Sequence, residues 1–226
     1  MRAVIGLLRE GPLHAALKAW LARPGDRFEV PIGGFVIDLV RADGELVEIQ
    51  TGSFSPLRAK MDALLDGHRM RIVHPIPERR RIVRVDEEGL VLSARPSPKR
   101  PGAAAVFEGL VSFPTLLGHP NLVVEALLCE EDHVRAPAPA RGRRYTRDPG
   151  ERRLVSVLER VVLAGPQDAA RLLPPMDEPF TTRELAAAMR VALPLAQKAA
   201  ACLRALEAIE LVGRRGRAPL YRRAET

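Results

Sequence analysis

Residues 35–51 read FVIDLVRADGELVEIQT, and they contain two short apolar segments, each interrupted by one acidic residue. Phe35–Arg41 and Leu46–Thr51 are rich in β-branched and aromatic residues, which is typical of strands. Asp43-Gly44 between them is a strong hairpin signal. The stretch therefore predicts two neighbouring antiparallel strands, and the position of their two acids decides how the rest of the chain is interpreted.

The length of the hairpin loop decides whether Asp38 and Glu48 lie on one face. A two-residue loop would pair Asp38 with Ile49, so that the two carboxylates would point to opposite faces. A three-residue loop, with Gly44 in the left-handed conformation, would pair Asp38 directly with Glu48. The functional interpretation below depends on the second register.

The elements around the hairpin predict a mixed α/β core. The apolar spacing in Pro12–Ala22 predicts a helix, and Phe28–Ile32 predicts a first strand before the hairpin. A second helix is expected at about 56–65, followed by a strand at Arg69–Pro75. This order places the second helix as a crossover between the meander and a further strand of the same sheet.

Two carboxylates placed opposite each other on a sheet repel unless something neutralises them. A divalent cation would do so, and oxygen ligands favour Mg²⁺ or Mn²⁺ over Zn²⁺. Gln50 lies two residues after Glu48 and therefore on the same face. Asp38 followed by Glu48-x-Gln50, between two helices, outlines a metal-dependent phosphodiesterase.

Asp38, nine intervening residues and Glu48-Ile49-Gln50 together resemble the signature of the PD-(D/E)XK nucleases, the restriction-endonuclease-like superfamily that includes Holliday-junction resolvases. The likeness covers about residues 8–80. The wider pattern, with His14, Lys18 and His74-Pro75-Ile76, is similar to an uncharacterised prokaryotic group of that superfamily.

The resemblance implies that Asp38 and Glu48 are metal ligands and that the backbone carbonyl of Ile49 is a third. Glu10 matches the additional acidic ligand that resolvase-like members carry before the first helix. A helix-capping role for Glu10 is the alternative, because acids favour helix N-termini. For Asp38 and Glu48 the alternative is exposure on the polar side of an antiparallel sheet.

Gln50 departs from the superfamily pattern, since most members have Lys at that position. The resemblance therefore assigns Gln50 to the catalytic set. The positively charged side chain that the superfamily's lysine supplies must then come from another residue. Lys60 on the following helix is the first candidate, and Lys18 on the first helix is the second.

Composition changes divide the chain into three predicted parts. Residues 1–135 form the restriction-endonuclease-like domain, a mixed sheet flanked by helices. Residues 136–150 (APAPARGRRYTRDPG) read as a basic Pro/Gly linker. Residues 151–226 form an α+β module that begins with helical spacing from Glu151 to Val162.

The end of the chain resembles the winged helix-turn-helix domains of prokaryotic regulators. Thr181–Glu184 is a capping box that opens one helix, a second helix runs from Leu193 to about Ile209, and two strands surround a basic turn. The resemblance implies contacts of the second helix with the major groove and of the turn with phosphates. The expected DNA-binding residues are Gln197, Lys198, Arg204, Arg214, Arg215 and Arg217.

The whole composition is compatible with that interpretation. The chain has 226 residues and a formal net charge of +7, which suits a polyanionic partner. No apolar run reaches the length of a membrane span and no secretory signal is evident, so we expect a cytoplasmic protein without membrane contact. The sequence thus predicts a Mg²⁺- or Mn²⁺-dependent endonuclease acting on duplex or branched DNA, with a homodimer among the expected partners. The alternative is a non-catalytic DNA-binding regulator with a degenerate nuclease-like domain.

Overall fold

The computed structural model describes residues 11–136 and 150–224. Helices and strands alternate through the first part, and a helical segment with a terminal hairpin follows. The helices are α1 (Pro12–Leu21), α2 (Arg58–Leu64), α3 (Phe107–Leu110), α4 (Pro166–Ala170), α5 (Thr182–Met189) and α6 (Leu193–Ala205). The strands are β1 (Arg27–Ile32), β2 (Phe35–Val40), β3 (Leu46–Ile49), β4 (Met70–Val85), β5 (Val91–Pro96), β6 (Leu122–Arg135), β7 (Glu151–Leu163), β8 (Ile209–Arg215) and β9 (Ala218–Arg223).

Seven of these strands form one mixed sheet in the order β1-β2-β3-β4-β6-β7, with β5 paired to β4. The β1–β2 and β2–β3 pairs are antiparallel, whereas β3 pairs in parallel with β4 after the crossover through α2. The predicted order of helix, three-stranded meander, helix and strand is confirmed. It forms a mixed α/β fold with a large sheet flanked by helices.

The helix expected from Glu151 to Val162 is wrong. These residues lie in β7, which pairs antiparallel with β6 along its length and so belongs to the large sheet. Val155, Leu158 and Val162 remain largely exposed on this outer strand. The spacing of these three residues matches a helical period, but they do not form a buried face, so the spacing does not produce a helix.

The linker expected at residues 136–150 lies almost wholly outside the described residues. Its flanks are close neighbours, because Val134 pairs with Glu151 across β6 and β7. Strand β5 pairs antiparallel with the second half of β4.

Apolar residues fill both faces of the sheet. On one face Leu13, Leu17 and Leu21 of α1 pack on Val47 and Val73. On the other face the core runs without a break from the first half of the chain to the last helices. It joins α2, α3 and α6 with the sheet; its members include Met61, Phe107, Phe113, Leu195 and Leu203.

The terminal elements form as expected from their local sequence. Thr181 accepts a hydrogen bond from the backbone N–H of Glu184, whose side chain accepts one from the backbone N–H of Thr181, so the capping box is complete. Helix α6 contacts α3 and the short turn at Pro114–Gly118. Strands β8 and β9 then form an antiparallel hairpin. Among the described residues, none of the helices combines the length and the apolar character that a bilayer crossing requires.

Candidate metal and phosphodiester site

The hairpin between β2 and β3 has the three-residue loop on which the site depends. The backbone N–H of Arg41 bonds the carbonyl of Glu45, and Gly44 adopts a φ of +86°. The pairs Leu39–Val47 and Val40–Leu46 set the register of the three-residue loop, and this pairing ends before Asp38 and Glu48. The two-residue alternative is therefore wrong.

Strands β2 and β3 separate at Asp38, and the side chain of Asp38 replaces the next backbone bond. Its Oδ2 accepts a hydrogen bond from the backbone N–H of Ile49 at 2.7 Å. The same oxygen lies 3.2 Å from Nε2 of His14 on α1. Burial acts to raise the pKa of Asp38, but the bonds from His14 and Ile49, together with the charge of Lys18, outweigh it and hold the pKa below its ordinary value.

Glu48 is only 5% exposed and lies on the opposite strand. Lys60 of α2 donates to Oε1 of Glu48 at 2.6 Å and to the carbonyl of Val36 at 2.8 Å. Burial raises the pKa of Glu48 to about 7, and the negative charge of Asp38 adds to the rise, while Lys60 opposes it. Full exposure on a polar sheet face, the alternative for this residue, is wrong.

The two carboxylates are coupled electrostatically, but their partners come from helices that pack on opposite faces of the sheet, so the expected direction of both side chains to one face is not seen. His14 of α1 holds Asp38, and Lys60 of α2 holds Glu48. The sequence identifies Lys60 as a candidate cation, whereas it names His14 only within the wider pattern of the resemblance. The arrangement brings one low-pKa carboxylate, one high-pKa carboxylate and a lysine to the point where two strands diverge.

The other predicted site residues have different surroundings. The side-chain amide of Gln50 donates to the backbone carbonyl of Ser53, so it stabilises the loop after β3. Glu10 lies outside the described residues. Within residues 11–136 and 150–224, no three His, Cys, Asp or Glu side chains form a group suited to a metal ion.

The predicted DNA-binding residues divide into two groups. Gln197 and Arg204 are exposed on α6, and Arg214 and Arg217 are exposed at the hairpin turn. Arg215 is also exposed but forms an ion pair with Glu184 at 2.6 Å. Lys198 is half-buried and lines a cavity between α6 and the sheet, which is not the outward position expected for it.

Sequence reasoning missed a network of buried carboxylates on β6. Glu131 is fully buried and accepts from Nε of Arg80 at 2.8 Å and from Nε of Arg152 at 3.0 Å. Glu125 is equally buried and accepts from Arg71 at 3.0 Å and Arg160 at 2.6 Å. Each of these two buried glutamates is therefore matched by arginines from neighbouring strands.

His74 is a second residue that the sequence hardly marks. Its Nδ1 lies 2.6 Å from the backbone carbonyl of Gln50, and its ring meets Phe54 edge-on with centroids 5.1 Å apart. Burial lowers the pKa of His74 and outweighs the bond to Gln50, so the ring is neutral at pH 7 with Nδ1 as donor.

The chain belongs to the family described as "Domain of unknown function (DUF8091)", which matches residues 11–164. The match begins at α1 and ends directly after β7, so it includes the whole large sheet. A protein of Treponema pallidum (strain Nichols), described as an uncharacterized protein, is 31% identical over 131 residues. That similarity covers 58% of this chain and 52% of the relative, so the chain spans about half the length of that curated relative. No solved structure matches the chain.

Proposed function

We propose that this protein is a metal-dependent endonuclease that hydrolyses phosphodiester bonds in DNA. The observation that carries the proposal is the placement of Lys60 at 2.6 Å from the buried Glu48, whose pKa is raised in part by the nearby charge of Asp38. Lys60, on the crossover helix, supplies the positive charge that most members of the superfamily take from a lysine at the position of Gln50. The sheet order agrees with the restriction-endonuclease-like arrangement that the sequence resembles: helix, antiparallel meander, helix, parallel strand.

The residues of the site fit a hard divalent cation such as Mg²⁺ or Mn²⁺. Glu48 is buried beside a second carboxylate and its pKa is raised to about 7, which is the electrostatic state that a bound cation relieves. Asp38, Glu48 and the backbone carbonyl of Ile49 would hold it, and oxygen ligands of this kind suit these metals. When bound, the cation supplies Lewis-acid polarisation of the phosphate and a water of lowered pKa.

The side chains of this protein provide position and charge around that centre. Lys60 fixes the carboxylate of Glu48 and the backbone carbonyl of Val36 in one arrangement. Its ammonium group lies where it can also stabilise negative charge on a scissile phosphate. His14 and the N–H of Ile49 orient Asp38, so both carboxylates are held in place before substrate binds.

The C-terminal elements support DNA as the substrate. Helices α5 and α6 and the β8–β9 hairpin follow the order of a winged helix-turn-helix, and the hairpin turn is basic. In that assignment Gln197 and Arg204 meet the major groove, and Arg214, Arg215 and Arg217 meet phosphates. Two active sites are needed to cut both strands of a duplex, so a homodimer is the expected working form.

Cleavage of end-labelled DNA with Mn²⁺ tests the proposal. Duplex, branched and single-stranded substrates should be compared with wild-type protein, Asp38→Asn and Glu48→Gln. We expect both variants to cut at least about 100-fold more slowly, because each loses a charge that the transition state requires. Asp43→Asn is a matched control, since Asp43 lies in the same hairpin but is exposed, where it pairs with Arg69 and accepts a hydrogen bond from the backbone N–H of Glu45. Equal residual cutting by all four proteins would refute the proposal.

One observation favours a second function, a DNA-binding regulator without catalysis. The side chain of Gln50 is engaged with Ser53, and Asp38 and Glu48 each have a partner within the protein. In that case the protein binds DNA. Any cleavage seen in the assay is then the same with or without the carboxylates of Asp38 and Glu48. The cleavage assay above, combined with a binding measurement, separates the two functions.

A further inference from the structure

A cavity of about 500 Å³ lies beside the candidate site, between the sheet and the C-terminal helices. Its volume is in the range of small-ligand sites. Thr51, Gly52 and Ser53 form one wall, directly after the strand that carries Glu48. Thr51 is three residues beyond Glu48, roughly 10 Å along an extended chain. A group bound here is therefore close to the carboxylate pair without occupying it.

Two arginines are fixed at this cavity by one buried carboxylate. Arg80 of β4 and Arg152 of β7 both bond to Glu131, which is fully buried, while each arginine side chain is 28% exposed. Arg152 also donates to the carbonyl of Thr51 at 2.9 Å, which ties it to the cavity wall. One carboxylate neutralises one of the two guanidinium groups, so the cluster keeps a net positive charge on rigid supports.

Lys198 adds a third cation from a different part of the fold. It lies on α6, is half-buried and lines the same cavity as Arg80 and Arg152. Within the part of the chain that the structure describes, Lys198 forms no ion pair. Glu108 is the carboxylate on the wall, so three cations at the cavity face one wall carboxylate and the buried Glu131.

Neutral polar groups complete the lining. His74 lines the cavity and uses Nδ1 for the carbonyl of Gln50, which leaves Nε2 as an acceptor. The hydroxyl of Ser53 lies 3.0 Å from that of Ser55. Planar guanidinium forks and an ammonium are the donors that recognise a phosphate group.

We propose that this cavity binds a phosphate group of a nucleic-acid strand, and that Lys198 contributes to the site from the C-terminal module. The choice of a nucleic acid rests on the proposed function, whereas the anion site rests on Arg80, Arg152 and Lys198. On this proposal α6 contacts nucleic acid through its inner edge as well as through its exposed face. The strand runs from the cavity past Thr51 towards Asp38 and Glu48.

The test is binding of a fluorescein-labelled 20-nucleotide DNA strand and its duplex, measured by anisotropy in EDTA. Lys198→Gln should weaken strand binding about tenfold and reduce the slope of log K against log salt by about one, because one phosphate contact is lost. Arg171→Gln is the matched control, because Arg171 is an exposed arginine outside the cavity that pairs with Asp168, and it should change strand affinity by less than about threefold. Lys198→Arg keeps the charge and should keep most of the affinity.

Three results would overturn the proposal. The first is a loss in Arg171→Gln equal to that in Lys198→Gln, which would mean that the affinity follows net charge and not a contact at the cavity. The second is equal loss in Lys198→Arg and Lys198→Gln with unchanged thermal unfolding, which would mean that charge is not involved. The third is Lys198-dependent binding of dAMP in calorimetry without binding of the strand, which would identify a free nucleotide as the ligand.

The measurement is independent of cleavage, since it uses no divalent metal. Binding that depends on Lys198 in a protein that never cuts DNA would refute the proposed endonuclease and leave the phosphate site supported. Cutting that depends on Glu48, combined with unchanged binding in Lys198→Gln, would refute the phosphate site alone.

Discussion

Buried carboxylates occur in two regions of the same sheet, and the two regions neutralise them differently. On β6, Glu125 and Glu131 are each held by two arginines. On β2 and β3, Asp38 and Glu48 share one lysine and one histidine, and the pKa of Glu48 rises to about 7. The buried glutamates on β6 are neutralised by their arginine partners. Asp38 and Glu48 have fewer cationic partners, which is the condition under which a carboxylate pair would accept a further cation.

The largest expected effect is on folding stability at β6. Glu131→Gln should lower the free energy of unfolding by about 3 kcal/mol, because it leaves two guanidinium groups facing a neutral amide. Glu48→Gln is the matched substitution in the other region and should change stability by less than about 1 kcal/mol. Urea denaturation of both variants at pH 7 measures the difference. Equal losses would mean that the two regions treat their carboxylates alike.

The pH dependence of stability should separate the regions further. Because the pKa of Glu48 is raised, the native state keeps a proton that the unfolded chain releases above about pH 4.5. Stability of the wild type relative to Glu48→Gln should therefore fall by about 2 kcal/mol as the pH rises from about 4.5 to 7. Denaturant titrations in EDTA across this window measure it. A rise over the same window would show that Glu48 is a stabilised anion of the β6 kind.

The smallest expected effect concerns the turn that aligns Asp38 with Glu48. Gly44 has a φ of +86° with open space where a Cβ would be, so Gly44→Ala strains only the backbone. We expect a loss of about 1 kcal/mol in unfolding free energy. Gly67→Ala is the control, because Gly67 also has open space and no positive φ. If both substitutions have equal cost, the left-handed turn does not hold the register.

Local signals in the sequence were sufficient for the part of the site that lies in one hairpin. Asp43-Gly44 specifies a turn whatever the rest of the chain does, and Thr181 with Glu184 specifies a helix start in the same way. The periodicity of α1 and the alternation of β2 and β3 then place Asp38 and Glu48. These features depend on neighbours within a few residues.

Features that depend on distant partners could not be predicted from the sequence. Glu131 meets Arg80 and Arg152, which are 51 and 21 residues away along the chain. Nothing in local spacing distinguishes this glutamate from an exposed one. The predicted helix at β7 is wrong because an outer strand with exposed Val155 and Leu158 has no buried face to impose a period of two on its apolar residues.

The unbroken core that joins α6 to α3 and the sheet has a consequence for any DNA bound along that helix. If the DNA-binding helix were joined to the active site by a flexible linker, the active site could reach many phosphodiester bonds, and cleavage would occur at varied distances from the bound sequence. Under the proposed function, the helix assigned to DNA and the strands that carry Asp38 and Glu48 are joined by continuous packing. Cleavage should then occur at a constant number of nucleotides from the bound sequence.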